Sequence, residues 1–292
     1  MDLNSNRQSF RRAIIQSWRT AREFIASDRL RRIRALLFQV YVLIALLAFA
    51  ALTILANVFP VFQPDVIITR ELQSETVGMR GIGLLLQIVS FPGYAIPSVV
   101  ITALVVAFLA IIGLRWEAIS ALFAGASGFL INSVVKTAVH RPRPTSNLVQ
   151  VFQDLSGYSF PSGHVVFYVG FFGFLLFLVF TLVKRTWWRY LLMIVLILLI
   201  ALVGVSRMYL GEHWASDVLG GYLLGSLDLI LSIAFYRWGK ARQVIRQPVA
   251  TTTPSTAGAV PQEEKKEVQE AMQNPLLPKE EATKEEQKTQ ND

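Results

Sequence analysis

Long uncharged apolar runs recur along this chain, and they limit its possible folds more than any other feature. The two longest cover residues 35–64 and 81–114. Four shorter runs follow, at 118–135, 165–183, 190–205 and 218–236, and only the last contains a charge, Asp228. A helix needs roughly 20 apolar residues to cross a bilayer core. With 53% hydrophobic residues in total, the chain is predicted to be an integral membrane protein.

The runs predict an all-α, polytopic protein with six transmembrane helices. The first span should end near Phe59 or Pro60, at the close of the first run. The run 81–114 is too long for one simple crossing, and Pro92, Gly93 and Pro97 interrupt it. We therefore expect a short interfacial or re-entrant piece there, followed by a span from about Ile96 to Leu114.

The basic residues predict the orientation of the spans. The net charge is +8, but the cations cluster before the first run and in connections on one side of the predicted bundle. That distribution indicates membrane topology rather than a nucleic-acid surface, and the positive-inside rule places both termini in the cytoplasm. Several cations then lie on the extracytoplasmic side, against the rule, among them Lys136, Arg141, Arg143 and Arg207. Anion binding is one reason to keep them there.

The two ends of the chain differ from the membrane region. Residues 1–34 contain nine arginines with apolar residues at helical spacing between them. They predict a cytoplasmic amphipathic helix on anionic lipid, although a solvated basic arm explains them about as well. Residues 238–292 are predicted to be a disordered cytoplasmic tail, because at least from residue 247 the composition is too polar to form a core. The six-span domain is then 35–237.

Three polar stretches are predicted to meet at the outer edge of the bundle, since each adjoins the end of a span. They are 136–144 (KTAVHRPRP), 159–164 (SFPSGH) and 206–217 (SRMYLGEHWASD). His213 and Asp217 are four residues apart, so a helix beginning near His213 would place both on one face. Cations, two histidines, a carboxylate and a Ser-Gly turn match the needs of phosphoryl transfer: groups for the oxygens, a nucleophile and a proton donor.

These stretches resemble the signature of the type 2 phosphatidic acid phosphatase superfamily, also called the lipid phosphate phosphatases. The family pattern is a lysine, six residues and Arg-Pro, then Pro-Ser-Gly-His, then Ser-Arg, five residues, His, three residues and Asp. Every fixed position is occupied in order, by Lys136, Arg143, Pro144, Pro161, Ser162, Gly163, His164, Ser206, Arg207, His213 and Asp217. One block alone would be weak, whereas three blocks at the family spacing are specific.

The resemblance implies a role for each site residue. His213 would attack phosphorus, Asp217 would orient its ring, and His164 would protonate the leaving oxygen. The phosphate oxygens would be held by Lys136, Arg143, Ser162, Gly163 and Arg207. Arg141 is expected at the rim of the site or on a lipid headgroup. No ligand cluster with metal spacing is present around Glu212 or Asp154, so neither metal nor cofactor is expected.

The implied function is a membrane phosphatase that hydrolyses a lipid phosphate or pyrophosphate through a phosphohistidine. Polyprenyl pyrophosphate, phosphatidic acid and phosphatidylglycerol phosphate are candidate substrates. A lipid phosphotransferase with the same intermediate stays open, and so does a non-enzymatic anion transporter. The vanadium haloperoxidases share the residue types but are soluble, which six apolar spans contradict. The sequence leaves the exact lipid, the role of Asp228 and the oligomeric state open.

Overall fold

A computed structural model describes the backbone of residues 3–76, 80–153 and 155–246 and the side chains of 29–75, 81–153 and 155–243. All regular structure within these ranges is helical, which confirms the predicted all-α class. The α-helices are α1 (Leu3–Val58), α2 (Gln63–Thr76), α3 (Arg80–Ser90), α4 (Ala95–Ile111), α5 (Arg115–Val139), α6 (Gly163–Phe167), α7 (Gly173–Leu182), α8 (Trp187–Tyr209) and α9 (Ala215–Arg246). A π-helical turn, Tyr168–Phe172, joins α6 to α7 without a break.

Within the described residues, five helical segments are long and apolar enough to cross a bilayer, and a bent pair makes a sixth. The five are Arg29–Val58, Arg115–Val139, Gly163–Leu182, Trp187–Tyr209 and Ala215–Gln243. The bent pair joins Gly81–Gly93 to Ala95–Ile111 at an angle of 63°. Exposed leucine, isoleucine, valine and phenylalanine side chains cover the outer faces of these helices, as lipid contact requires. The protein is a multi-pass integral membrane protein.

The predicted interruption of the second apolar run is confirmed, but only two of the three expected helix breakers, Pro92 and Gly93, lie at it. A single 3₁₀ turn, Phe91–Gly93, separates α3 from α4 and contains Pro92. Pro97 does not interrupt the chain, because it lies in the first turn of α4. A proline there removes no intrahelical hydrogen bond.

Several element boundaries differ from the prediction. α1 is continuous from Leu3 through the first span; the side chains of 1–28 lie outside the described ones, so their contact with anionic lipid stays a prediction. α9 continues to Arg246, so the predicted tail boundary at residue 238 was wrong, and residues 247–292 lie outside the described part. α9 begins at Ala215, after His213 rather than at it.

Aromatic side chains around the π-helical turn form the core of the bundle. Tyr168, Phe171 and Phe174 are fully buried and pack with residues of α5, α8 and α9. Asp228 of α9 is also buried, and its Oδ1 accepts a hydrogen bond of 2.6 Å from Ser127 Oγ of α5. A carboxyl inside a span is costly in lipid, and this polar partner offsets part of that cost.

The order of the helices places all three motif stretches at one end of the bundle. α5 and α8 end there, and α6 and α9 begin there. The end of α1 lies beside them, because Arg141 Nε donates to Pro60 O at 3.1 Å. The opposite end carries other basic residues of the described side chains, at Arg29–Arg34, Arg115, Lys184–Arg189 and Arg237–Arg242.

Candidate active site

Backbone hydrogen bonds join the three motif stretches into one site. Ser162 N donates to Asp217 O at 3.0 Å, which ties the second stretch to the third. Ser159 N donates to Arg141 O at 2.8 Å, which ties the second stretch to the first. The predicted convergence is therefore what the structure shows for these residues.

His213 and Asp217 approach each other through a helix cap. Trp214 is the residue before α9, and its N–H donates to Asp217 Oδ2 at 2.9 Å. An acidic side chain at the third helical position commonly reaches back in this way. The same oxygen lies 3.6 Å from His213 Nδ1. The four-residue spacing thus brings the pair together, although His213 lies on the turn before the helix and not on its face.

His213 is buried, 2% exposed, and its second ring nitrogen faces the cations. Nε2 lies 3.3 Å from Arg143 Nη1, and that guanidinium is held by a 2.9 Å hydrogen bond to Glu212 O. Burial is the largest cause holding the pKa of His213 well below its ordinary value, and three cations act in the same direction. They are Arg143, Lys136 and Arg207. A neutral imidazole at neutral pH is the form that can act as a nucleophile.

His164 is the second residue of α6 and lies in the same buried site. Its ring meets Tyr94 edge to face, with 4.8 Å between the centroids. Gly93 packs closely against the same ring, because a Cβ on that glycine would lie 2.3 Å from His164 Cδ2. His164 Nε2 is buried and has no hydrogen-bond partner among the described residues. A buried ring nitrogen without a hydrogen-bond partner indicates that a ligand binds there and supplies the partner.

Ser162 and Gly163 stand where α6 begins. Ser162 Oγ is buried and likewise lacks a partner within the described part of the chain. Gly163 is close to Asn132, since a Cβ there would lie 3.1 Å from Asn132 Nδ2. Lys136, one helical turn after Asn132, donates to Tyr158 O at 2.6 Å. Amides at a helix start, a hydroxyl and an ammonium are the groups that bind a phosphate oxygen.

Arg207 is fully buried and is held by residues that the motif analysis missed. It forms an ion pair with Glu212 and a hydrogen bond with Ser90 Oγ. Its guanidinium lies 5.3 Å from the centroid of the Tyr94 ring, and Tyr94 Oη donates to Glu212 Oε1 at 2.9 Å. Ser90 and Tyr94 flank the turn between α3 and α4, so the bend supplies the support for this cation.

The expected position of Arg141 at the rim of the site was wrong. Its side chain is 1% exposed and contacts two carboxylates, Asp65 and Asp217, each at 2.7 Å. A guanidinium can be buried here because hydrogen bonds satisfy it. The prediction failed because Asp65 lies in the first turn of α2, far from the motifs in sequence.

Among the described residues, no group of three or more His, Asp or Glu side chains has the geometry to hold a metal ion. The two carboxylates of the third motif stretch already have cationic partners, since Glu212 contacts Arg207 and Asp217 contacts Arg141. The donor set around His213 is therefore cationic and suits an anion.

The fold and site define a multi-pass helical membrane protein with a buried His–Asp pair beneath converging cations. Residues 117–242 match the family model described as the PAP2 superfamily. This part of the chain, which contains all three motif stretches, is thus similar to the PAP2 superfamily.

Two curated relatives match a similar share of the chain. Phosphatidylglycerophosphatase B of Bacillus subtilis is 33% identical over 129 residues, 41% of this chain and 58% of that protein. An undecaprenyl-diphosphatase of Sulfolobus acidocaldarius is 33% identical over 114 residues, 39% of this chain and 45% of that protein. The chain thus spans about half the length of the curated relatives it matches.

One solved structure has a similar fold. It is the crystal structure of a transmembrane PAP2 type phosphatidylglycerolphosphate phosphatase from Bacillus subtilis. The TM-score is 0.57 at 24% identity, and the match covers 68% of this chain and 96% of that one. This similarity supports the helical membrane architecture.

Proposed function

We propose that the protein is a membrane phosphatase that hydrolyses a phosphate monoester or diphosphate on a lipid. One observation carries the proposal: the buried His213 faces Arg143 at 3.3 Å on one ring nitrogen and Asp217 at 3.6 Å on the other. A nucleophile with a carboxylate behind it and a cation in front is suited to attack an anionic phosphoryl group.

In the first half-reaction, His213 Nε2 attacks phosphorus and the bond from phosphorus to the leaving oxygen breaks. His164 donates a proton to that oxygen, so the product leaves as an alcohol or a phosphate. The ring of His213 becomes positively charged, and Asp217 stabilises this charge at Nδ1. Lys136, Arg143 and Arg207 bind the non-bridging oxygens, together with Ser162 and Gly163. These oxygens carry the negative charge of the transition state.

In the second half-reaction, water attacks the phosphohistidine. His164, now neutral, accepts a proton from this water, and the bond from phosphorus to His213 Nε2 breaks. Inorganic phosphate leaves, and both histidines return to their starting states. Tyr94 contacts the ring of His164 and donates to Glu212, the neighbour of His213, which supports this shared use of one site.

The relatives support a lipid substrate. Their names specify phosphatidylglycerophosphatase and undecaprenyl-diphosphatase activities, and phosphatidic acid has the same monoester group. A site at the end of a helical bundle suits a substrate whose tail lies between helices while its phosphate reaches the cations. The basic clusters at the opposite end support an extracytoplasmic site with cytoplasmic termini.

The direct test is phosphate release from purified full-length protein against a panel of these lipid phosphates. Adding acceptor lipids or alcohols separates hydrolysis from phosphotransfer, since a phosphotransferase releases little free phosphate and forms a new ester. An anion transporter would release no phosphate from any member of the panel. That last result would overturn the proposal.

Turnover is expected to be independent of divalent metal. The cations of the site neutralise the phosphoryl oxygens, which is the task that a metal ion performs in many other phosphatases. We expect EDTA to change the rate of phosphate release by less than about twofold, and added Mg²⁺ to have no larger effect on protein treated in this way. Activity that EDTA abolishes and one particular ion restores would contradict this prediction.

Gly93→Ala is expected to disturb His164. The added Cβ would lie 2.3 Å from His164 Cδ2, so the ring or the 3₁₀ turn has to move. Such overpacking costs about 1–3 kcal/mol, and a displaced acid lowers turnover by about tenfold or more. Gly81→Ala is the matched control, because a Cβ there meets no described atom within 4 Å. Equal turnover in the two variants would show that the contact with Gly93 does not position His164.

A further inference from the structure

Four side chains form a closed cluster on the Nδ1 side of His213, and the motifs account for only one of them. We define the buried cluster as Asp65, Arg141, Ser216 and Asp217. Arg141 Nη1 donates to Asp217 Oδ1 and to Ser216 Oγ, each at 2.7 Å. Arg141 Nη2 donates to Asp65 Oδ2, also at 2.7 Å. The guanidinium therefore lies between two carboxylates, with both contacts at the length of a charge-assisted hydrogen bond.

Asp65 completes the cluster from α2. Its Oδ1 accepts a hydrogen bond of 2.8 Å from Ser216 N, and its Oδ2 accepts one of 2.6 Å from Ser216 Oγ. Asp65 is 2% exposed, Ser216 8% and Asp217 0%. Hydrogen bonds at this density and burial hold the start of α9, and hence Asp217, in one position.

The charges of the cluster do not cancel. Arg141 contributes one positive charge against the two negative charges of Asp65 and Asp217, which leaves one negative charge. Arg141 alone would neutralise Asp217 and weaken its field at the His213 ring. Asp65 in turn neutralises Arg141. One full negative charge is thus left on the side of the cluster that faces His213 Nδ1, 3.6 Å from Asp217.

We propose that Asp65 and Arg141 are positioning residues, which act through Asp217 to set the net negative charge behind the His213 ring. The inference rests on the proposed function, because it concerns the ring that would carry the phosphoryl group. Asp65 and Arg141 themselves do not contact the reacting atoms in this account. Their effect is to orient Asp217 and to stabilise the positive ring of the phosphohistidine.

Other charged groups also face His213, and any pH dependence has to be measured against them. Lys136 and Arg143 belong to the first motif stretch, His164 to α6 and Arg207 to the end of α8. Glu212 lies on the turn between α8 and α9, and Asp217 lies on α9. Four of these groups are cations or become cations on protonation, so they disfavour a charged imidazole. The cluster acts in the opposite direction.

Asp65→Asn tests the charge without removing the side chain. The cluster becomes neutral, so the protonated ring of His213 is less stable and the pKa of His213 falls further. The neutral nucleophile then persists to lower pH. We expect the acid limb of the kcat/KM profile to move to lower pH by about one unit, because one charge acting over this range is worth about that much. We also expect kcat to fall about tenfold and KM to change less than about twofold.

Asp65→Asn/Arg141→Gln restores the net charge, since Asp217 is then the only charge in the cluster. We expect its acid limb to return to the wild-type position, even though the double substitution disturbs more contacts than the single one. Glu71→Gln on the exposed face of α2 is the matched surface control and should leave the profile unchanged. If Asp65→Asn yields no folded protein, the acid limb of the double variant is compared directly with that of the wild type, and a displaced limb overturns the proposal.

The results separate charge from packing. A shift in the single variant that the double variant reverses supports the proposal. An unchanged acid limb in Asp65→Asn, a shift to higher pH, or a double variant displaced from the wild type would overturn it. A wild-type protein that releases no phosphate from the lipid panel would instead remove the proposed function, before any variant is compared.

Discussion

His213→Asn is expected to reduce phosphate release by at least about 10⁴-fold, the largest effect of any single substitution in this protein. The change removes the atom that forms the bond to phosphorus, and groups that act as one catalytic unit lose most of their effect together. Asparagine retains polar atoms in a buried position, so the fold should survive. Phosphate release from purified protein measures the loss, and thermal unfolding checks the fold.

The control for this variant is His140→Asn. His140 is exposed and adopts a positive φ of 55°, a conformation that asparagine tolerates well. Its ring packs on Tyr158, 4.4 Å between centroids, outside the catalytic pair. We expect activity within about twofold of the wild type. If His213→Asn retains comparable activity, His213 is not the nucleophile and the mechanism above fails.

His164→Asn is expected to have the second largest effect, and its size should depend on the leaving group. A lipid alcohol leaves poorly unless it is protonated, so turnover of a lipid phosphate should fall by about 10³-fold. An activated aryl phosphate needs no proton to release its phenolate. With that substrate we expect a burst of about one equivalent of phenolate, followed by slow turnover, because water then lacks a base to attack the phosphohistidine.

Rapid-quench or stopped-flow measurement of the aryl product distinguishes the outcomes. A burst in His164→Asn that is absent from His213→Asn would show that the aryl substrate forms the phosphohistidine without His164, whereas hydrolysis of the phosphohistidine needs it. Equal losses for the lipid and the aryl substrate, with no burst, would show that His164 acts only in maintaining the site. The structural reason to expect the first result is Nε2 of His164, which is buried and has no hydrogen-bond partner in the part of the chain that the structure describes.

The membrane architecture could be predicted from the sequence because it depends on local composition. An apolar run of sufficient length has to form a helix in a bilayer, where every backbone polar group needs an internal partner. The break at Pro92 and Gly93 follows from the same local chemistry. The helix ends were less accurate, as Pro97, Ala215 and Arg246 show, since capping and the length of a helix beyond the bilayer depend on neighbouring elements.

The motif residues could also be located from their spacing, and the structure brings their three stretches to one end of the bundle. Motif spacing carries no information on what supports these side chains. Asp65 meets Arg141 and Ser216 across 76 and 151 positions of sequence, and Tyr94 meets Glu212 across 118. Such contacts exist only once the helices have packed.

Arg141 shows most directly what the sequence predicts and what only the tertiary structure decides. From the sequence it is one more cation beside a phosphate motif, and a position on the surface is the ordinary state of an arginine. Its burial against Asp65 and Asp217 follows from the packing of α2 and the start of α9 around it. Local chemistry thus determined the spans and the reactive side chains. Packing decided which charges face each other, because the Coulomb energy of a pair depends on distance and burial rather than on order in the chain.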